Sequence, residues 1–532
     1  MSQASRRAFL KQAAAYTSLG AAAPLGLNLS AITQAAAQSA GEYRALVCIF
    51  LYGGNDAFNT VLATDGSSWT HYNNHRNPAS RDPADTSQSI ALLAPGVSPN
   101  SGAASSSPAR LGGVLGISHA GRAVHSTRQF ALHPALTQVR DLHQAGRAAV
   151  LANVGPLLSK TTKADWASAS FAKPAKLFSH NDQQSTWQSF GVEGTPTGWA
   201  GRMGDLLMAG NGAGAGANTN LIQRAFTCMS PSGASVWMNG NKVLPFLAGA
   251  TGIGGLGAGG SVYGSTKLQT AMANIMGGAQ SGNNHLKDHQ GLVLRAMQAN
   301  SLIGSKLPAG NQSPWGTPSA STSYNAYNEA LLKYVSPVDG VTRFNYLALQ
   351  LQMVARLIDT NRTASLGMGK QFFMVSMGGF DTHDNEVQSH GECMAQLNHA
   401  LAYFDTVLGG MPGGNMRSQV TTFTASDFGR TFTNNGDGTD HGWGAHHLIM
   451  GGAVKGTEVY GSFPEYSTAD SKGVFSSPDQ IQNGVMLPST SVDQYAYTLG
   501  KWMGVSNTNL LDILPNLKNF DSSVHDLGFM NA

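Results

Sequence analysis

Charge is what this chain has least of. Asp, Glu, Lys and Arg make up 12% of its 532 residues, about half the usual share of a soluble domain. A surface built instead from Ser, Thr, Asn, Gln and Gly steers charged partners weakly. The formal charge of +3 belongs to the first residues alone. Arg6, Arg7 and Lys11 stand in a stretch without acidic residues, and removing those three of the 33 basic residues leaves 30 against 30 acidic ones. No basic stripe remains, which argues against nucleic acid as a partner. Cysteine is equally scarce. Cys48, Cys228 and Cys393 form no CxxC pair, which excludes a zinc knuckle; one disulfide is compatible with their number but not demanded by it. A long apolar run is missing too. The stretch from Ala13 to Ile32 is interrupted by Thr17, Ser18, Gly20, Pro24 and Asn28, so no stable membrane span is expected.

What is present begins at the N-terminus. Ser5-Arg6-Arg7-Ala8-Phe9-Leu10-Lys11 has the twin-arginine pattern, and Ala35-Ala36-Ala37 offers a small-residue cleavage site before Gln38. Residues 1–37 therefore read as an export leader recognised by the twin-arginine translocase, and residues 38–532 as one periplasmic or secreted domain.

Ala45 to Tyr52 is a continuous apolar run, as in a strand buried on both faces of a parallel sheet. Ala149-Val150-Leu151-Ala152-Asn153-Val154, Phe372-Phe373-Met374-Val375-Ser376 and Val420-Thr421-Thr422-Phe423-Thr424 read the same way. Leu347, Leu351, Val354 and Ile358 fall on one helical face, as do Met394, Leu397, Leu401, Phe404 and Leu408. The alternation predicts an α/β fold with a mainly parallel central sheet flanked by helices. Gly- and Ser-rich insertions are expected near 65–110 and 205–265. The second contains Gly252-Ile253-Gly254-Gly255-Leu256-Gly257, a GxGxxG by form; in so Gly-rich a tract, with no acidic residue about twenty positions on, it carries no nucleotide-binding argument.

In open parallel sheets ligands sit beyond the carboxyl ends of strands. Three predicted strand ends lead into Asn55-Asp56, into Gly378-Gly379-Phe380-Asp381-Thr382-His383, and into Ser426-Asp427-Phe428-Gly429-Arg430-Thr431; Asp440-His441 and His446-His447 follow. Six of the 16 histidines lie between His383 and His447. Carboxylate and neutral imidazole are the usual ligands of zinc, iron and manganese. Each residue has a plainer reading: Asp56 or Asp381 as a helix cap, Asp427 as the partner of Arg430, His446-His447 as packing. Their accumulation at one sheet edge is what favours a metal or catalytic site.

These motifs, together with the leader, Phe50 to Asp56, Leu132-His133-Pro134-Ala135-Leu136, Phe178-Ser179-His180-Asn181-Asp182-Gln183-Gln184 and Gly438-Thr439-Asp440-His441-Gly442, resemble the DUF1501 family. That family is grouped with the alkaline phosphatase and sulfatase superfamily. The resemblance implies an alkaline-phosphatase-like fold and a site for one or two divalent ions, zinc or manganese. It implies Asp56, Asp381, His383 and Asp427 as metal ligands; Phe428 stands where the superfamily's Asp-His pair would place a His, so one or more of His441, His446 and His447 would supply the missing imidazole. It further implies Ser179 or Ser185 as nucleophile, and Arg430 as partner of the oxyanion or of Asp427. Ser106-Ser107-Pro108-Ala109-Arg110 only approximates the sulfatase motif and lies in a Ser/Ala/Pro-rich loop. The expected activity is metal-dependent hydrolysis of phosphate or sulfate esters. The alternative is a non-catalytic protein of the cell envelope on the same fold. The expected partner is a small anionic ester or an envelope polymer.

Overall fold

The computed structural model describes residues 42–80, 88–253, 261–277, 284–319 and 324–531. The stretch read as a leader, with Arg6 and Arg7, and most of the GxGxxG tract lie outside these residues.

The strands used below are β1 (Arg44–Leu51), β2 (Ala148–Gly155), β3 (Cys228–Ser230), β4 (Phe246–Leu247), β5 (Lys370–Met377), β6 (Val420–Ser426), β7 (Arg430–Asn434), β8 (Thr439–His441), β9 (Ala445–Met450), β10 (Val459–Tyr460) and β11 (Thr490–Ser491). Nine of them form the central sheet, in the order β10-β2-β9-β6-β1-β5-β3-β4, with β11 also paired to β2. Every pairing is parallel except the two made by β9, which runs against both β6 and β2. The sheet is thus mostly parallel.

β1 is central because both of its faces are apolar. Ala45, Val47, Ile49 and Leu51 enter one hydrophobic core; Leu46, Cys48 and Phe50 enter the other, as the two-residue period of a strand requires. The helices used below are α1 (Ala57–Thr60), α2 (Gly66–Arg76), α3 (His180–Ser189), α4 (Trp199–Leu207), α5 (Tyr346–Thr363), α6 (Glu386–Gly409) and α7 (Val492–Met503). α5 and α6 cover the first face, and α4 and α7 the second. The predicted faces of the two long helices are buried as expected, with Leu347, Leu351, Val354, Met394, Leu397 and Phe404 all in the core.

Two regions read as insertions are tied to the core. α2 lies within 65–110 and delivers Arg76 to the interior, and β3 and β4, within 205–265, belong to the central sheet. The three cysteines are free and buried. Among the described residues no helix is long and apolar enough to cross a membrane.

The arrangement that matters for function is the alignment of β6, β1 and β5. Leu51 pairs with Met377 on one side and Ser426 on the other, so the three loops that follow leave the sheet at one level. Gly53 and Gly54, with φ of 117° and 86°, turn the first loop between the others. A Cβ on Gly53 would lie 2.4 Å from the Asp381 backbone nitrogen, and one on Gly54 2.4 Å from the Phe428 ring.

Candidate metal centre

Asp381 leaves the end of β5 and is half-exposed, with four partners around its carboxylate. Arg430 Nη1 donates to Oδ1 at 2.7 Å. His441 Nε2 lies 3.2 Å and His383 Nε2 3.1 Å from the same oxygen. His180 Nε2 lies 3.3 Å from Oδ2. Ligating atoms of His180, Asp381 and His441 all fall within 4.8 Å of one another, and His383 Nε2 adds itself 3.0 Å from His441 Nε2.

Local structure explains how residues so distant in sequence meet. β7 and β8 form a hairpin in which Arg430 pairs with His441, so both reach the Asp381 loop. His180 opens α3, and Gln184 follows one turn later on the same face. His180 Nδ1 donates to Asp427 Oδ2 at 2.7 Å and Gln184 Nε2 to the same oxygen at 2.9 Å. Phe178, held at a φ of 72°, a costly conformation for a bulky residue, directs its carbonyl to His441 Nδ1 at 2.7 Å.

The second nitrogens of these rings decide the chemistry. A backbone carbonyl can only accept, so Nδ1 of His441 carries the proton and Nε2 presents its lone pair. Asp427 acts in the same sense on His180, and Asp440 Oδ1, 3.3 Å from His383 Nδ1, on His383. Carboxylate or carbonyl groups behind the Nδ1 atoms are what orient metal-ligating histidines. The Nε2 atoms of His383 and His441 then face each other at hydrogen-bond distance, which is stable only with a proton or a cation between them.

The electrostatics agree with this division of roles. The hydrogen bond that His180 donates to Asp427 raises the pKa of His180 against the effect of burial. Burial lowers that of His441, opposed by the Phe178 carbonyl. For Asp381 burial acts upward but is outweighed by Arg430, so its carboxyl stays below the usual range and is ionised.

The structure redistributes the other predicted residues. Asp56 does not join the cluster. It is fully buried in a two-pronged ion pair, Arg76 Nη1 meeting Oδ2 and Nη2 meeting Oδ1 at 3.0 Å, while Oδ1 also caps Phe58 N at 3.1 Å. Asp427 is fully buried behind His180, holding that ring and paired, among the described residues, with neither Arg430 nor a further imidazole. Arg430 is buried too, donating to Gly53 O at 3.3 Å, to Thr439 Oγ1 at 3.1 Å and to the Thr439 carbonyl; it positions Asp381 and has no free face for an oxyanion. Ser179 gives its hydroxyl to Asp182 Oδ2 at 2.8 Å, and Ser185 gives its own to the Val192 carbonyl at 2.8 Å.

His446 and His447 lie inside the sheet on β9, facing opposite sides. His446 stacks on Phe463 at 4.4 Å and accepts from Asn153 N at 3.0 Å; His447 packs on Trp187 at 4.9 Å. Burial pushes both pKa values down to about 3, as for neutral core histidines. Phe428 supplies no ligand atom; its ring packs 4.8 Å from that of His180 and 4.6 Å from that of His441. His180 and Gln184 are the residues that sequence reasoning passed over in favour of the neighbouring Ser179. Their four-residue spacing from the first turn of a helix was the available signal.

Behind the cluster, Glu386 and His390 of α6 approach the Asp56–Arg76 pair. Burial, then the Asp56 charge, raise the Glu386 carboxyl well above its ordinary value, and burial pushes His390 down to about 4. Both effects favour the neutral acid over the carboxylate at Glu386. Replacing it with Gln is expected to change stability by less than about 1 kcal/mol, because no charge is removed. Urea denaturation at pH 7 measures this, and a loss of more than about 2 kcal/mol would show an ionised Glu386.

Fold and cluster together define an α/β protein with a His/Asp group at the carboxyl edge of a mostly parallel sheet. Residues 351–514 match the model of a family described as Protein of unknown function (DUF1501). The match runs from α5 into the segment after α7, includes Asp381, His383, Asp427, Arg430 and His441, and supports the family resemblance read from the motifs. No curated protein and no solved structure matches the chain.

Proposed function

We propose that this chain is an exported metal-dependent hydrolase of phosphate or sulfate esters, with an alkaline-phosphatase-like site reduced to one ion. The observation that carries the reading is the convergence of three imidazole Nε2 atoms, two of them 3.0 Å apart, on the Asp381 carboxylate. Three neutral imidazoles and a carboxylate suit zinc, iron or manganese. His180, His383, His441 and Asp381 would hold the ion. Bound there, it would supply Lewis acidity toward an ester oxygen and acidify a water molecule.

The protein's own groups set that centre. Asp427 and the Phe178 carbonyl keep the Nδ1 protons of His180 and His441 in place, so that Nε2 remains the ligating atom. Arg430 fixes the orientation of Asp381 and offsets its charge. With the Ser179 and Ser185 hydroxyls engaged elsewhere, water is the nucleophile this reading requires.

The test is elemental analysis of protein purified from the periplasm, with turnover of p-nitrophenyl phosphate, bis-p-nitrophenyl phosphate and p-nitrophenyl sulfate, beside a His441→Ala variant. The expected result is about one equivalent of transition metal and hydrolysis of at least one ester, both lost in the variant. Metal without turnover would favour the second reading, a non-catalytic envelope protein that binds an anionic polymer through the same ion. The enclosure of Arg430 behind Asp381 favours that reading. Absence of metal, with none taken up on addition, rejects both.

Export by the twin-arginine translocase is part of the same proposal. Arg6→Lys with Arg7→Lys should leave precursor in the cytoplasm, read by cell fractionation; normal export of the double variant would refute the route.

A further inference from the structure

A cavity of about 550 Å³ lies apart from the metal centre. Residues from four segments line it: Ala395, Asn398 and His399 of α6, the 134–138 segment, Arg110 and Leu111 with Pro99 and Ser101, and the stretch from Tyr334 to Pro337. This volume is in the range that encloses a small organic molecule. Leu111, Pro134, Ala135, Val335 and Ala395 make its walls apolar.

Beside the hydroxyls of Ser101 and Thr137, the side chains of Arg110, Gln138 and His399 face it. Asn345 is locked, its Oδ1 accepting from Ala348 N at 3.0 Å and its Nδ2 donating to Gln396 O at 2.8 Å. The same Nδ2 must therefore donate to His399 Nδ1, 3.1 Å away. His399 then carries its proton on Nε2, a donor with no protein acceptor among the described residues. Asn398 uses its amide on the backbone nitrogens of Gln138 and Val139 and on Gln138 Oε1 at 3.1 Å, which leaves Gln138 Nε2 as a second donor at the rim. Arg110 is the cation. Its Nη1 meets the Ser101 carbonyl, and it makes no ion pair among the described residues. Among those same residues no carboxylate lines the cavity. Tyr334 and Ser336 turn their hydroxyls away, onto Glu392, whose charge Arg343 also meets at 3.5 Å.

An apolar chamber with one unpaired guanidinium and neutral N–H donors selects a ligand of matching chemistry. We infer that this cavity is a binding site for a small organic monocarboxylate, its carboxylate on Arg110 and its apolar body between α6 and the 97–111 segment. A guanidinium–carboxylate contact is charge-assisted and directional. A neutral analogue of the same shape would leave the guanidinium without a partner. The segment carrying Arg110 is the Ser/Pro-rich stretch that only approximates a sulfatase motif; the structure gives that arginine a different place.

The test is isothermal titration of the full-length mature protein with 3-phenylpropionate and, separately, 3-phenylpropanamide. Wild type should bind the acid at one saturable site and the amide at least about 10-fold more weakly. Arg110→Gln should lose at least about 10-fold in affinity for the acid, and Arg110→Lys should fall between. Unchanged metal content and circular dichroism in both variants would show that fold and metal centre are intact, which separates this site from the function proposed above. The inference is overturned if the acid shows no saturable binding up to about 10 mM, if acid and amide bind alike, or if Arg110→Gln binds as wild type does.

Discussion

Asp381→Asn is expected to weaken metal binding by at least about 100-fold, since even loss of groups behind the ligands commonly costs 10- to 100-fold. The carboxylate is the one group that all three imidazoles and Arg430 share. Asn keeps an oxygen for Arg430, and Asp381 is half-exposed, so water can relieve the remaining imbalance and the fold should survive. Asp427→Asn makes a graded comparison. It touches the metal only through His180, where an amide can present nitrogen instead of oxygen to Nδ1 and so reverse the tautomer. A loss of about 10- to 100-fold is expected there, smaller than for Asp381. Competition against a chelator of known affinity reads both. Full metal retention by Asp381→Asn under those conditions would remove Asp381 from the ligand set and leave the cluster a hydrogen-bonded network.

Asp56→Asn should act on stability and leave the metal alone. Asp56 and Arg76 are both completely enclosed. Burial alone would raise the Asp56 carboxyl, but the Arg76 charge and hydrogen bonds outweigh it and hold the group ionised. Neutralising one member leaves a buried guanidinium with no counter-charge, facing neutral oxygens: the Asn amide and the Thr431 and Phe432 carbonyls, at 2.8 Å and 3.2 Å. The expected cost is about 3–5 kcal/mol, a large fraction of an ordinary folding free energy. Asn keeps the cap on Phe58, so the loss reports the charge. Adding Arg76→Gln should recover much of it, and a double-mutant cycle in urea gives the coupling. Metal content of the folded fraction should match wild type. A variant of native stability that has lost its metal would restore Asp56 to the ligand set.

The contrast between these residues shows where reading from sequence succeeds. β1, β5 and β6 were legible because strands buried on both faces must be apolar throughout, and α5 and α6 because a helix covering a sheet repeats its apolar positions every three or four residues. Parallel strands beside one another then place their carboxyl ends together, so the strand pattern alone assigns Asp381 and Asp427 to one edge, while His441 reaches it through the β7–β8 hairpin.

Asp56 and His446-His447 could not be sorted in this way. The charge state and role of an Asp depend on what faces it, and Arg76 reaches Asp56 from a segment that reads as a loop insertion. His446 and His447 sit in β9, which runs backwards through the sheet; that reversal carries residues close in sequence to His441 away from the edge and into the core. His180 shows the opposite case, 201 residues before Asp381 in sequence and yet in contact with it. By itself the sequence determined the fold class, the strands and helices of the core and the edge where chemistry collects, because burial imposes local periodicity. Only the tertiary structure decided which carboxylates meet an arginine and which meet imidazoles, because pairing depends on side chains brought together across the chain and leaves no periodic trace in it.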